Sequence, residues 1–222
     1  VSSSEAIAMV PKADAADRLL VAPASSTPEL TGISTNFFRL HPSDHAEGTR
    51  MSSFAAQKME VAQIGMLQAD TAYARGIGEV FRSDFERQGG GVVALVEFPP
   101  HTEDFGAQVD ELLATGPQAV FLSGHGMEIA GMLRALRERQ FPGHILTTSA
   151  FATPAAMEAA GDDMDGVFFS QTGFDVSSDL EPVKSFVADY TEKYGQAPDF
   201  YSAHGYDAML VLGEALTNTA PR

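Results

Sequence analysis

The sequence contains no cysteine. That excludes disulfides, thiolate metal sites and a cysteine nucleophile, and it suits an exported protein as well as many cytosolic ones. Positive charge is scarce: 14 Lys and Arg stand against 30 Asp and Glu, a net charge of −16 at pH 7. No basic patch is available to neutralise phosphates, which argues against nucleic acid and anionic membrane surfaces as partners. Long hydrophobic runs are missing as well, so no direct membrane insertion is expected. The chain opens on Val1-Ser2-Ser3-Ser4, without the basic and apolar regions of a signal peptide. The expectation is a cytosolic protein or a trimmed piece of a longer one.

Catalytic signatures are equally sparse. No glycine fingerprint opens a helix after a strand, as a dinucleotide site needs; Gly89-Gly90-Gly91 instead closes a helix. His41 and His45 have i, i+4 spacing but flank Pro42, with no third ligand near, so no metal is expected. Ser123-Gly124-His125-Gly126 is not a nucleophile elbow, because the serine is not central between glycines. Asp162, Asp163 and Asp165 precede a strand and fit a solvated turn. The expectation is a protein that is not an enzyme and carries no cofactor.

What is present is a core and a rhythm. At 222 residues and 44% hydrophobic content, the chain can build one large domain or two lobes. Ser2 to Ser4 followed by Glu5 and an apolar run predict a helix N-terminus. Strands are expected at 18–22 and 36–40, and a helix capped near Ser43 and Asp44 carries Met51, Phe54 and Ala55. A strand at 61–67 precedes a helix with Ile77, Phe81 and Phe85 on one face. The nearly all-apolar run 92–98 predicts a strand buried on both faces. Helices with Phe105, Val109 and Leu112, and with Ile129, Met132, Leu133 and Leu136, alternate with strands at 119–122, 144–148 and 166–169. Two helical stripes close the chain: Val183, Phe186, Val187, Tyr190 and Tyr194, then Met209, Leu212 and Leu216. Such alternation implies an α/β fold with parallel sheets. It is interrupted once, at 40–47, a candidate crossing between lobes.

The first strand ends in Pro23-Ala24-Ser25-Ser26-Thr27-Pro28-Glu29-Leu30-Thr31. Hydroxyls and backbone N–H groups at a strand's carboxyl end suit a small anionic or amide group. A solvated turn without a partner explains the same residues about equally well.

This stretch, with Ser2-Ser3-Ser4 ahead of a helix, resembles the leucine/isoleucine/valine-binding proteins of ABC transporters, type I periplasmic binding proteins. Tyr73 after the third strand, Met132-Leu133-Arg134 and Tyr206-Asp207-Ala208 also match, so the resemblance runs over the whole chain. It implies two Rossmann-like lobes with parallel sheets flanked by helices, the first lobe incomplete. Lobe one would comprise residues 1–43 plus 173–222, and lobe two residues 44–172. It further implies a periplasmic receptor that binds a small molecule between lobes, closes on it and delivers it to an ABC permease in the inner membrane. A ligand-sensing regulatory domain of the same fold, or an enzyme on a Rossmann-like scaffold, are the alternatives.

By the same resemblance, Ser2 or Ser3 meets the ligand carboxylate at a helix N-terminus. Ala24, Ser25 and Ser26 match the loop that binds carboxylate and ammonium, and Tyr73 matches a lobe-two tyrosine. Two positions depart. His125 stands where amino-acid binders have an aromatic, and Ser149 where they have the glutamate that pairs with the ammonium. Tyr201 is a candidate pocket wall. A buried ammonium without a carboxylate is costly, so the expected ligand is a small polar carboxylate or amide, with an amino acid possible if the missing segment supplies an acid. Ser149→Glu is then expected to improve amino-acid binding.

Overall fold

A computed structural model describes residues 2–219. In chain order the elements are α1 (Ser3–Ala15), β1 (Leu20–Ala22), β2 (Phe37–Arg39), α2 (Asp44–Ser53), β3 (Gln63–Ala69), α3 (Ala72–Arg87), β4 (Gly91–Phe98), α4 (Gly106–Leu113), β5 (Ala119–Ser123), α5 (Gly126–Glu138), β6 (His144–Thr147), α6 (Pro154–Ala160), β7 (Val167–Phe169), α7 (Glu181–Tyr194) and α8 (Phe200–Thr219). Their contacts divide the chain into two compact units. The first holds the chain up to Ser26, Gly32–Pro42 and the chain from Thr172; the second holds Thr27–Thr31 and Ser43–Gln171.

The second unit is built on a five-stranded parallel sheet in the order β4-β3-β5-β6-β7. Because side chains alternate across a strand, β5 sends Ala119 and Phe121 to one face and Val120 and Leu122 to the other. On the first face they join Ile64, Met66, Ile77, Phe81, Phe85 and Leu146, covered by α2 and α3. On the second they join Leu67, Val109, Leu112, Ile129, Leu133 and Leu136, covered by α4 and α5. The Phe81 ring lies flat on Phe121, centroids 4.1 Å apart. This is an α/β fold of parallel sheets flanked by helices, as the alternation predicted.

The first unit pairs β1 with β2 in parallel and contributes α1, α7 and α8. Ser2 caps α1 in a capping box with Glu5, and Phe186 of α7 packs on Phe174, Tyr190 and Tyr206. No helix among the described residues is long and apolar enough to cross a membrane.

Four expectations change. The run 92–98 is the edge strand β4, hydrogen-bonded to β3 alone, with Leu95 43% exposed; apolar content reports strand propensity, not position in the sheet. The strand expected at 61–67 runs instead over Gln63–Ala69, because pairing with β4 and β5 sets its register. Tyr201, expected just before the last helix, sits inside the first turn of α8. The α8 stripe is not a buried one: Met209 is 67% and Leu216 71% exposed, with no cover among the described residues.

Candidate functional site

The candidate residues fall into two groups, one in each unit. In the first unit, α1 begins beside the loop that follows β1. Ser2 uses its hydroxyl on its own helix, accepting from the Glu5 N–H at 3.4 Å, while Glu5 accepts from the Ser2 N–H at 2.7 Å. The Ser25 hydroxyl donates to the Ser2 carbonyl at 3.1 Å, and the Ser26 N–H donates to the Ser3 hydroxyl at 3.3 Å. Arg39 of β2 donates to the Ser26 carbonyl at 3.0 Å. The loop is thus tied to the start of the helix at Ser2 and Ser3 and to the neighbouring strand at Ser26. Ser3, Ser25 and Ser26 are buried, and Ala24 is half-buried beside them. A helix N-terminus carries roughly half a positive charge and orphan N–H donors. Hydroxyls and a helix start converging on one turn make a cradle suited to a carboxylate.

Tyr201 joins a different cluster. Its ring lies 4.0 Å from that of Phe200, which in turn borders His41 and His204. The two histidine rings stand edge to face at 5.1 Å. Burial, with the charge of His41 beside it, pushes the His204 pKa below the usual histidine value, against a smaller opposing pull from Asp207.

In the second unit the group lies at the carboxyl ends of parallel strands, where open α/β sheets hold ligands. Thr71 caps α3 by accepting from the Ala74 N–H at 3.1 Å, which sets Tyr73 in the first turn. The Tyr73 hydroxyl donates to Thr148 Oγ1 at 2.9 Å, and its ring stacks on His125 at 6.2 Å. His125 is exposed just after β5, and its N–H donates to Glu128 Oε2 at 2.8 Å. Ser149 lies two residues past the end of β6. Tyr73, His125 and Ser149, widely separated in the chain, therefore share one edge of the unit, linked through Thr148.

The sequence reading missed Glu47. It projects from the first turn of α2 and accepts from the Ser149 N–H at 2.6 Å and the Ser149 hydroxyl at 2.9 Å. The Ser170 hydroxyl, just past β7, donates to the same carboxylate. An acidic residue at the end of the 40–47 break, early in the helix capped near Ser43, was visible in the sequence. Nothing local pointed across 102 residues to Ser149.

A family model described as periplasmic binding protein matches residues 1–221. The chain belongs to that family. Among solved structures, a leucine-binding protein from Thermotoga maritima is 30% identical with a TM-score of 0.89, over 98% of this chain and 62% of that one. A solute-binding protein of an ABC transporter from Rhodopseudomonas palustris, in complex with 3,4-dihydroxybenzoic acid, shares the fold at 22% identity and a TM-score of 0.85, over 98% and 60%. A curated relative, a chemotactic signal transduction system substrate-binding protein from Halobacterium salinarum, is 26% identical over 163 residues, 70% of this chain and 39% of its own length. This periplasmic binding protein chain therefore spans less than two thirds of each of these relatives.

Proposed function

We propose that this periplasmic binding protein is the extracytoplasmic solute receptor of an ABC transporter. It takes a small polar organic ligand, an amino acid, related carboxylate or amide, in an interlobe cleft of the kind the family resemblance implies. Ser3 at the start of α1, with Ser25 and Ser26 of the loop after β1, is assigned to the carboxylate, and Ser2 and Ala24 shape that end. Tyr73, His125 and Ser149 are assigned to the rest of the ligand, and Tyr201 to a wall of the pocket. The observation that carries the reading is the serine loop tied to the helix start, in a chain of this family. Closure follows if the ligand bridges both lobes, because a bridged ligand gains contacts only in the closed state. The permease in the inner membrane and the periplasmic location come with this role.

The test is a thermal-shift panel on the full-length protein, with amino acids, small carboxylates, aromatic acids, amides and nucleotides. A ligand at a hundred times its Kd stabilises by about 2.7 kcal/mol, which is readily seen. Hits among amino acids, carboxylates or amides support the receptor; a nucleotide hit alone overturns it. The chemotactic relative favours a second reading, a sensor that passes ligand occupancy to a signalling partner. Radiolabelled uptake by cells with and without the gene separates the two.

A further inference from the structure

We propose that the second unit carries a small-molecule site of its own, beside α3 at the β4 edge, that takes a neutral amide with a short aliphatic body. It lies beyond the receptor reading and shares no residue with the groups assigned there. The site follows from how α3 meets the sheet. Its Ile77, Phe81 and Phe85 pack toward Met66 of β3 and Phe121 of β5. Leu95 and Glu97 of the edge strand pair with Met66 and Gln68 and so share that face, yet both stay exposed. A cavity of about 380 Å³ is left between helix and edge, lined by Met66, Gln68, Gly78, Val80 and Leu95, with Pro28 and Gly76 among its walls. All of these residues belong to the second unit. The volume is that of a small-ligand pocket.

Gln68 gives the cavity its chemistry. It is 5% exposed, and its Nε2 donates to Glu97 Oε1 at 2.9 Å. An ionised carboxylate only accepts, so the amide turns its NH2 to Glu97. Its carbonyl oxygen then lies over Gly78, where a Cβ would collide with it. Among the described residues Glu97 is the only hydrogen-bond partner of this amide, which leaves Oε1 and one N–H for a guest. A carboxamide or lactam presents the matching donor and acceptor, and a buried carbonyl is costly to leave without a donor. Met66, Val80 and Leu95 offer apolar contact to the rest of such a molecule. Both arginines at the cavity are paired, Arg75 with Asp70 and Arg82 with Glu79, while Glu29 and Glu97 are exposed acids; an anion is repelled. An ammonium would meet a single neutral acceptor inside and lose most of its hydration. The helix is also shaped for the site. Glycine is unfavourable in a helix interior, and the two that line the cavity each make room for a neighbour. Gly78 clears space for the Gln68 amide, and Gly76 for the turn at Pro28, whose Cδ would lie 3.2 Å from a Cβ there.

The test is nuclear magnetic resonance on the full-length, isotope-labelled protein, titrated with isovaleramide and γ-butyrolactam. Isovalerate and isoamylamine, of similar shape, are the charged controls. The expected result is saturable shifts of the Gln68 side-chain amide and the Met66 methyl with both amides. The acid and the amine should bind at least about tenfold more weakly. The Gln68 signal is assigned by its loss in Gln68→Leu. Gly78→Ala displaces only the far end of a flexible side chain, so the fold absorbs it; isovaleramide should weaken at least about tenfold. Gln68→Leu, which puts no bulk against the helix, should abolish the Met66 response. Ser26→Ala should leave the Gln68 response unchanged. The inference is overturned if neither amide shifts Gln68 and Met66 saturably, or if acid or amine binds as tightly as amide. It is also overturned if either variant, still folded, keeps wild-type affinity for isovaleramide as read at Met66. Loss of the Gln68 response in Ser26→Ala would put the amide in the proposed cleft; that overturns the second site and leaves the receptor reading standing. Failure of the receptor reading shows instead in the solute panel and leaves the response at Gln68 untouched.

Discussion

Ser26 and Tyr73, both proposed ligand contacts, are held in different ways, and they predict different losses. Ser26 is buried, with its carbonyl fixed by Arg39 and its N–H by Ser3. Ser26→Ala therefore removes one hydroxyl without disturbing the loop. The expected loss is about 1–2 kcal/mol, roughly 5- to 30-fold in Kd, measured by titration with unchanged Tm. Tyr73 contributes both a hydroxyl, spent on Thr148, and a ring stacked on His125. Tyr73→Phe keeps the stack, so it should cost less affinity than Tyr73→Ala; equal losses would assign the whole effect to the hydroxyl. Position 149 shows why the neighbours of a residue decide its role. Read from the sequence, Ser149→Glu restores a missing acid and gains affinity. With Glu47 already there, it sets two carboxylates side by side, and like charges raise the pKa of one of them. Stability tied to a raised carboxyl pKa is kept at low pH and lost as pH rises. The Tm deficit of Ser149→Glu against wild type should accordingly be larger at pH 8 than at pH 5.

At the scale of elements, close approaches of backbone dictate where glycine is required. Gly126 opens α5, and a Cβ there would lie 2.7 Å from Ala156 Cβ and 2.8 Å from the Ala150 carbonyl oxygen. Neither atom can rotate away, so Gly126→Ala must push α6 off α5. A cost of about 1–3 kcal/mol is expected, read as a lower denaturation midpoint. Gly173→Ala, which meets nothing within 4 Å, should stay within about 0.5 kcal/mol of wild type. The same distinction between local and long-range information explains what the sequence revealed. The α1 capping box, the amphipathic face of α3 and the order of β–α units depend on spacings of a few residues, and all were legible. The edge position of β4 depends on which strands flank β3, and the register of β3 on its pairing, so neither was. The serine loop announced itself through composition, whereas Glu47 gained its meaning only from α2 meeting the turn after β6. Long-range pairings of that kind leave no periodic trace.

Over the whole molecule, two effects act on folding and binding together. The net charge of −16 repels itself, and His204 adds a specific pH response. Its pKa is pushed down by burial and by His41 nearby, with Asp207 opposing. A histidine held neutral in the fold gives its full contribution above its unfolded pKa of about 6.5. That contribution falls as pH drops below this value, since the unfolded chain takes up the proton more readily. Stability should therefore decline from pH 7 to pH 5.5, and His204→Phe should flatten the slope while leaving the Tm at pH 8 little changed. The proposed closure is the larger event. Moving a two-state receptor from 1:99 to 99:1 needs a ligand that binds the closed state about 10⁴-fold more tightly. One unit's contacts, equally available in either state, contribute nothing to that ratio; the bridging contacts contribute all of it. If the serine loop and the Tyr73–His125–Ser149 group each hold one end of the same solute, as the proposed function has it, weakening either must reduce the closed fraction as well as the affinity. Small-angle scattering of the full-length protein at saturating ligand checks this. The radius of gyration should fall on ligand addition in wild type and fall less in Ser26→Ala and in Tyr73→Ala at equal occupancy. A full contraction in both variants would mean that closure draws on contacts other than these two ends.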